Sequence, residues 1–249
     1  MAMNPRLLRP TRTASAATDP YWSQVSLLLH FDGANGSTAF TDSSSNALTV
    51  TANGNAQIST AQSKFGGASG LFDGDGDYAE LTSPSSAIGQ ISGDFTIECW
   101  VRWNAVPPGD GNGLERQIIG QHDWPESASD GWWVLFGVSS GLFFYVSGDD
   151  AVQATTSSVF AWETDRWYHI AVVRSGGNVR LYVDGLQTGD AVAAGQVLLA
   201  NDSRPLTIGG DVSGNATPMN AYIDELRITK GVARYTAAFT PPDAAFPNG

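Results

Sequence analysis

The sequence predicts an all-β fold, one large sandwich or jelly roll. Apolar residues alternate with period two along many short segments, no stretch carries a helical pattern for two or more turns, and clusters of Gly, Ser, Asn and Asp separate the segments. Composition agrees. Only 15% of the 249 residues are charged and 28 are Gly, which disfavours coiled coils and helical bundles. Eight Trp and eleven Phe within a 42% hydrophobic chain supply a sizeable core and argue against disorder. No internal repeat of about 20–50 residues is present, which excludes a propeller or solenoid.

The run VSLLLHFD places Val25, Leu27, Leu29 and Phe31 on one face. FTIECWVRW does the same with Phe95, Ile97, Cys99, Val101 and Trp103. WWVLFG (132–137) and GLFFYV (141–146) follow, with Phe143, Phe144 and Tyr145 as strand residues and one aromatic outward. WYHIAVVR (167–174) is apolar on both sides, so it predicts a central strand covered on both faces. NVRLYV (178–183) leads into Asp184-Gly185, a two-residue hairpin signal, because a type I′ turn needs positive φ. PLTIG (205–209) and AYIDELRIT (221–229) complete the set.

Charge divides the chain. Residues 1–24 carry Arg6, Arg9 and Arg12 against Asp19 alone and sum to +2, which leaves −14 of the total −12 on the rest. The expected organisation is an extended basic N-terminal arm (1–24), a jelly roll (25–240) and a Pro-rich C-terminal tail (241–249). The arm is expected to dock on a partner protein, with Arg6, Arg9 and Arg12 on acidic surface and Leu7 and Leu8 in pockets. Net charge −12 disfavours nucleic-acid binding. One Cys excludes an internal disulfide framework and a Cys-rich zinc site. No apolar run approaches the roughly 20 residues of a membrane span, so no membrane insertion is expected. The N-terminus lacks the apolar stretch of a signal peptide.

FDGDGDYAEL (72–81), DFTIECWVRW (94–103), RWYHIAVVRSGGNVRLYVDG (166–185), LTIGG (206–210) and AYIDELRITKGVARY (221–235) stand in an order that resembles the laminin-G-like, concanavalin A-like jelly-roll family. The resemblance covers roughly residues 25 to 240 and implies a concanavalin A-like β-sandwich. The flanks, MAMNPRLLRP and RITKGVARYTAAFTPPDAAFP, are similar to those of laminin-G-like proteins of tailed bacteriophages. The fold hosts lectins, adhesins, glycosidases and inert spacers, so it decides no function by itself.

Alternation places Asp224 on the face of Leu226 and Ile228, and Asp77 on the face of Ala79 and Leu81. A carboxylate aimed at a core is costly unless it is paired or metal-bound. Relatives of this fold often hold a structural calcium near the last strand, and Asp224 matches that position, with Asp77 and Asp32 as further candidate ligands. The alternative is that Asp224 accepts backbone or Arg hydrogen bonds. Asp73-x-Asp75-x-Asp77 is not an EF-hand start, because Tyr78 and Pro84 stand where Gly and the closing Glu are needed; it reads as an acidic turn.

Catalysis finds little support. Gly137-Val138-Ser139-Ser140-Gly141 matches G-x-S-x-G, but strands flank it on both sides, so it is a hairpin turn rather than a nucleophile elbow. His30, His122 and His169 supply no relay. Glycosidases of the same fold use Glu-x-Asp-x-(x)-Glu on one strand. None of the six Glu makes a copy; beyond Glu163-Thr164-Asp165 stand Trp167 and Tyr168. A binding surface is the better expectation. QHDWPESASDGWW (121–133) gathers His122, Asp123, Trp124, Asp130 and Trp132, which suits a glycan: an aromatic face for C–H groups and planar acceptors for hydroxyls. The alternative is structural packing of that loop.

Together these readings predict a non-enzymatic virion structural protein: a head decoration, head fibre or tail-associated protein assembled in host cytoplasm. The arm would bind other virion proteins and the domain would touch host-surface glycans, with a trimer as one possible assembly. A lectin or adhesin for host attachment, and a glycoside hydrolase, are the competing classes.

Overall fold

The computed structural model describes residues 18–81, 90–91, 93–108, 115–121, 132–148, 151–193, 198–199, 205–212 and 218–249. Its strands, numbered β1 to β18 in chain order, form two eight-stranded sheets and one small ribbon. The first sheet runs β15 (Leu186–Ala193), β14 (Asn178–Val183), β13 (Trp167–Ser175), β8 (Phe95–Trp103), β18 (Asn220–Lys230), β5 (Ser69–Asp73), β4 (Gln57–Ser59), and β1 (Val25–Leu29) also pairs with β18. The second runs β12 (Ala151–Val159), β11 (Gly141–Gly148), β10 (Trp132–Val138), β9 (Arg116–Gln121), β17 (Leu206–Ile208), β6 (Tyr78–Leu81), β3 (Thr49–Asn53), β2 (Ala39–Thr41). β7 (Gln90–Ile91) and β16 (Leu198–Leu199) make the ribbon. Neighbouring strands are antiparallel throughout. The all-β, concanavalin A-like sandwich is therefore as expected.

Period-two alternation builds the interior. Phe95, Ile97, Cys99, Val101 and Trp103 of β8 meet Trp133 and Leu135 of β10 and Leu142, Phe144 and Val146 of β11 in one buried cluster. Trp162 pins the β10–β11 turn, its Nε1 donating to the carbonyls of Val138 and Gly141, both at 2.9 Å. The G-x-S-x-G segment is that turn. Asp184 and Gly185 both have positive φ, 48° and 79°, as the hairpin signal requires. Gly185 admits no side chain, since a Cβ there would collide with the Phe239 carbonyl.

Two of the register shifts involve the last strand, β18. The β1–β18 register shifts between Val25 and Leu27, so Leu27, Leu29 and Phe31 join the main core while Val25 packs with Leu28 and Phe246 on the other side. The β8–β18 register shifts between Asp224 and Arg227, and Glu225 there has φ 50°. A bulge flips the inside–outside parity. Ala221, Ile223, Leu226 and Ile228 therefore all face the core, and Asp224 faces away from it, opposite Trp100. The expectation that Asp224 shares the Leu226 face is corrected by this one extra residue.

The outward face of the first sheet is covered by the C-terminal segment. Tyr235 and Phe239 stack with ring centroids 3.5 Å apart over Ala171, Val173 and Tyr182. This explains why β13 is apolar on both faces. Beneath the strap lies a buried ion network. Glu98 accepts from Arg227 (2.7 and 3.0 Å) and from the Tyr235 hydroxyl (2.8 Å), with His169 at 3.3 Å. Asp19 accepts from Arg227 (3.0 Å) and Arg234 (2.7 and 3.0 Å). Burial is the largest influence and works to raise the Glu98 carboxyl, but Arg227 and His169 together outweigh it, through charge and hydrogen bonds, and hold the group at about 2. Asp19 belongs to the domain, and its amide donates to the Gly249 carbonyl at 3.1 Å.

Candidate functional site

The second sheet turns its other face away from the core. On β11, Phe143 and Tyr145 point outward, half-buried and stacked, with centroids 5.9 Å apart and an interplanar angle of 12°. Phe136 of β10 meets the Tyr145 ring edge-on at 6.0 Å. Val134 and Phe136 also lie on this face, yet they are buried. Strand β16 of the ribbon approaches β10 and β11. The strip thus has a buried part on β10 and a half-buried pair of rings on β11.

Beside the strip stands a fixed polar group. Gln117 of β9 pairs with Phe136, and Thr207 of β17 pairs with Gly120, so both face the same side as the aromatics. Gln117 Nε2 donates to Thr207 Oγ1 at 2.6 Å and to the Gly210 carbonyl at 3.0 Å. Its Oε1 is buried and has no hydrogen-bond partner among the described residues. Gly120 keeps the strip flat, because a Cβ there would meet Val134. Gln117 is fully buried and ties β9 to β17 beneath the surface, so what the strip offers a ligand is the half-buried Phe143–Tyr145 faces, which suit C–H surface.

The Asp224 region is a second cluster. β18 pairs with β5 through Ile223 and with β1 from Leu226, so the bulge opens a gap between those two neighbours. The 64–67 loop fills it, and the amides of Lys64 and Phe65 donate to Asp224 Oδ2 at 2.7 and 3.1 Å. Asp224 Oδ1 is buried without a partner. Burial, with Glu225 and Asp32 as neighbouring negative charges, pushes the Asp224 carboxyl up to about 7. Asp32 is exposed and packs against Gly66 so closely that a Cβ there would collide with its carboxylate. Glu225 is spent: it bonds His30 Nδ1 (2.8 Å) and accepts from the Phe246 amide (2.8 Å).

The orphaned oxygen of Asp224, with Asp32 close by, fits one corner of a calcium site. No three His, Cys, Asp or Glu side chains group as a metal set among the described residues, so a calcium there would draw its other oxygens from carbonyls and water. Asp77 does not fit, because its two oxygens accept the amides of Asn55 (2.7 Å) and Asp73 (2.9 Å). It closes the acidic turn between β5 and β6, whose Gly74 and Gly76 have φ of 90° and 76°.

His122, Asp123, Trp124 and Asp130 lie outside the described residues, as do Arg6, Leu7, Leu8, Arg9 and Arg12. The backbone of Trp132 opens β10 opposite Ser147. The expectation of one outward aromatic on β11 is corrected to two, because period-two alternation puts Phe143 and Tyr145 on one face and Phe144 in the core. No helix among the described residues is long and apolar enough to cross a membrane.

Residues 73–234 match the Laminin_G_3 family model, described as the concanavalin A-like lectin/glucanases superfamily. Among solved structures, domain 4 of AbnA, an extracellular arabinanase from Geobacillus stearothermophilus in complex with arabinotriose, is similar with a TM-score of 0.61 at 15% identity, over 84% of this chain and 94% of that one. The binding domain of Paraclostridial Mosquitocidal Protein 1 matches with a TM-score of 0.62 at 15% identity, over 88% of this chain and 50% of that one. The receptor-binding domain of botulinum neurotoxin D matches with a TM-score of 0.62 at 15% identity, over 86% and 51%. This chain thus spans about half the length of those two toxin domains. At such identities the likeness speaks to the fold alone. No curated protein matches the chain.

Proposed function

We propose, from the premise that this chain belongs to the concanavalin A-like lectin/glucanases superfamily, that it is a non-enzymatic glycan-binding domain carried on a phage virion. The observation that carries the binding reading is the stacked, half-buried Phe143–Tyr145 pair on the outward face of β11. A sugar ring laid on these rings buries its C–H face against them. The arabinotriose complex of the arabinanase domain supports the same class of ligand, and the binding-domain descriptions of the toxins support a binding role. The non-enzymatic part is supported by the glutamates. No Glu-x-Asp-x-(x)-Glu occurs in the sequence, and Glu98 and Glu225 are committed to buried hydrogen bonds.

The virion part rests on the flanks and on charge. Residues 1–17 carry Arg6, Arg9 and Arg12 and no acid, +3 against −15 on the rest of the chain, which suits attachment through this segment as a head decoration, head fibre or tail-associated protein. Weak single sites become useful there, because many copies on one particle raise the effective concentration.

A glycan array on the full chain tests the binding part. Binding to at least one glycan is expected, and Tyr145→Ala should weaken it about tenfold or more. A silent array, or a Tyr145→Ala chain that binds as the parent does, overturns this reading. The array is to be run with calcium and with chelator, since calcium held by Asp224 and Asp32 would stabilise the domain and leave the Tyr145 effect in place. Deleting residues 1–17 tests the virion part. Particle incorporation should be lost while the unfolding midpoint is kept, and incorporation without the arm would refute it.

A further inference from the structure

The geometry points to a second carbohydrate site, at the rim of the sandwich where β5 meets β18, which takes the end of a neutral sugar chain through two neighbouring hydroxyls. A cleft of about 230 Å³ is lined there by Asp73, Asn220, Arg116, Val106, Pro107 and Pro108, among others. Asp73 and Asn220 are directly opposite in the β5–β18 ladder. Opposed residues project to the same side with Cβ atoms about 5 Å apart. A carboxylate and a carboxamide at that spacing can hold two adjacent hydroxyls, the first only accepting and the second both donating and accepting.

The carboxylate is held in place. Asp73 Oδ1 accepts from the Asp75 amide at 2.9 Å, and Oδ2 accepts from Asn55 Nδ2 at 2.7 Å. Each oxygen keeps capacity for a further bond. Gly74, at φ 90°, clears the way: a Cβ there would lie 3.1 Å from the Asn220 Cβ. Pro107, Pro108 and Val106, the last 42% exposed, offer apolar surface to the C–H face of a ring. The volume falls below the roughly 300–1,000 Å³ of drug-sized pockets, so it suits a chain end rather than an oligosaccharide laid along a groove. Arg116 also lines the cleft, but the exposed Asp73 and the net charge of −12 weigh against anionic sugars.

Position adds to the inference. From Asn220 to Arg227 is seven residues of strand, about 23 Å. Arg227 pairs with Asp19, at the root of the arm. The rim cleft therefore lies toward the end of the domain remote from its tether. The choice of a sugar as ligand class rests on the glycan reading above; the location does not.

The test is an amide-resolved NMR titration of the full chain with methyl glycosides of glucose, galactose, mannose and arabinose, each alone, and with methyl glucuronide. At least one neutral glycoside is expected to shift the amides of Gly74, Val106 and Asn220. Its affinity should fall about tenfold in Asp73→Asn and in Asn220→Ala, and stay unchanged in Tyr145→Ala. Thermal midpoints of the variants confirm that they fold. Shifts confined to the Phe143–Tyr145 face, and lost in Tyr145→Ala, would overturn the rim site and leave the glycan reading standing. No rim shift with any neutral glycoside would also overturn it, whatever the array shows. Glucuronide binding as tightly as the neutral sugars would overturn the selection against charge.

Discussion

Glu98→Gln is expected to destabilise the protein by about 3–5 kcal/mol, measured by urea unfolding at neutral pH, because it strips one partner from a buried ion network and leaves Arg227 short of charge. Glu98 is fully buried and takes two hydrogen bonds from Arg227 and one from Tyr235. Part of the loss should show as mobility of the strap that carries Tyr235 and Phe239. The double variant Glu98→Leu, Arg227→Met should recover more than half of it, since apolar replacement of a whole buried pair is often neutral, and Asp19 keeps Arg234. The pH dependence has a definite sign. With a folded-state carboxyl near 2 and an unfolded one near 4.5, the Glu98 contribution is complete above about pH 4.5 and lost as pH falls toward 2. The gap between parent and Glu98→Gln should close over that window. A cost under about 1 kcal/mol at neutral pH would mean that the strap is held by apolar contact alone.

Asp224→Asn is expected to stabilise the metal-free protein above neutral pH. The folded carboxyl titrates near 7 rather than 3.8. Between those values the folded chain holds a proton that the unfolded chain has released, so stability falls as pH rises from about 4 to 7 and is level beyond. Three pKa units correspond to about 4 kcal/mol. Asp224→Asn removes that slope. In the parent, calcium should raise the unfolding midpoint more at pH 8 than at pH 5, and it should do nothing for Asp224→Asn. Equal stability of the metal-free parent at pH 5 and pH 8 would show that this carboxylate pays no burial penalty. A pH slope with no calcium response would leave the residue as a backbone anchor for the 64–67 loop.

Much of the fold was legible because sheets with an apolar interior write their geometry into every second residue. β8, β10, β11 and β13 follow from the side-chain pattern alone, and Asp184-Gly185 follows from the need for positive φ. β12 was not legible. AVQATTSSV has no sustained apolar alternation, as suits an edge strand with one paired neighbour in its sheet. The bulge at Glu225 was also hidden, because the extra residue is not a Gly and ordinary alternation reads straight through it. That single residue moved Asp224 from the inner face to the outer one. The covering of the first sheet was half-legible: β13 announced a cover by its composition, but Tyr235, Phe239 and Phe246 lie in a segment with no repeating pattern. For the binding face, the dense aromatics of 121–133 give the stronger sequence signal, whereas the outward aromatics of β11 stand in an ordinary strand.

The amide of Asp19 meets the carbonyl of Gly249 at 3.1 Å, and this gives the domain the topology of a nearly closed ring. Joining those ends needs only a short bridge, and the Gly176-Gly177 turn, where added side chains meet nothing within 4 Å, offers a place to open the ring elsewhere. The same closeness lets the whole domain be spliced into a surface loop of a host protein without prising the loop apart. One scaffold could thus wear it as an ornament on a hairpin as readily as at a chain end.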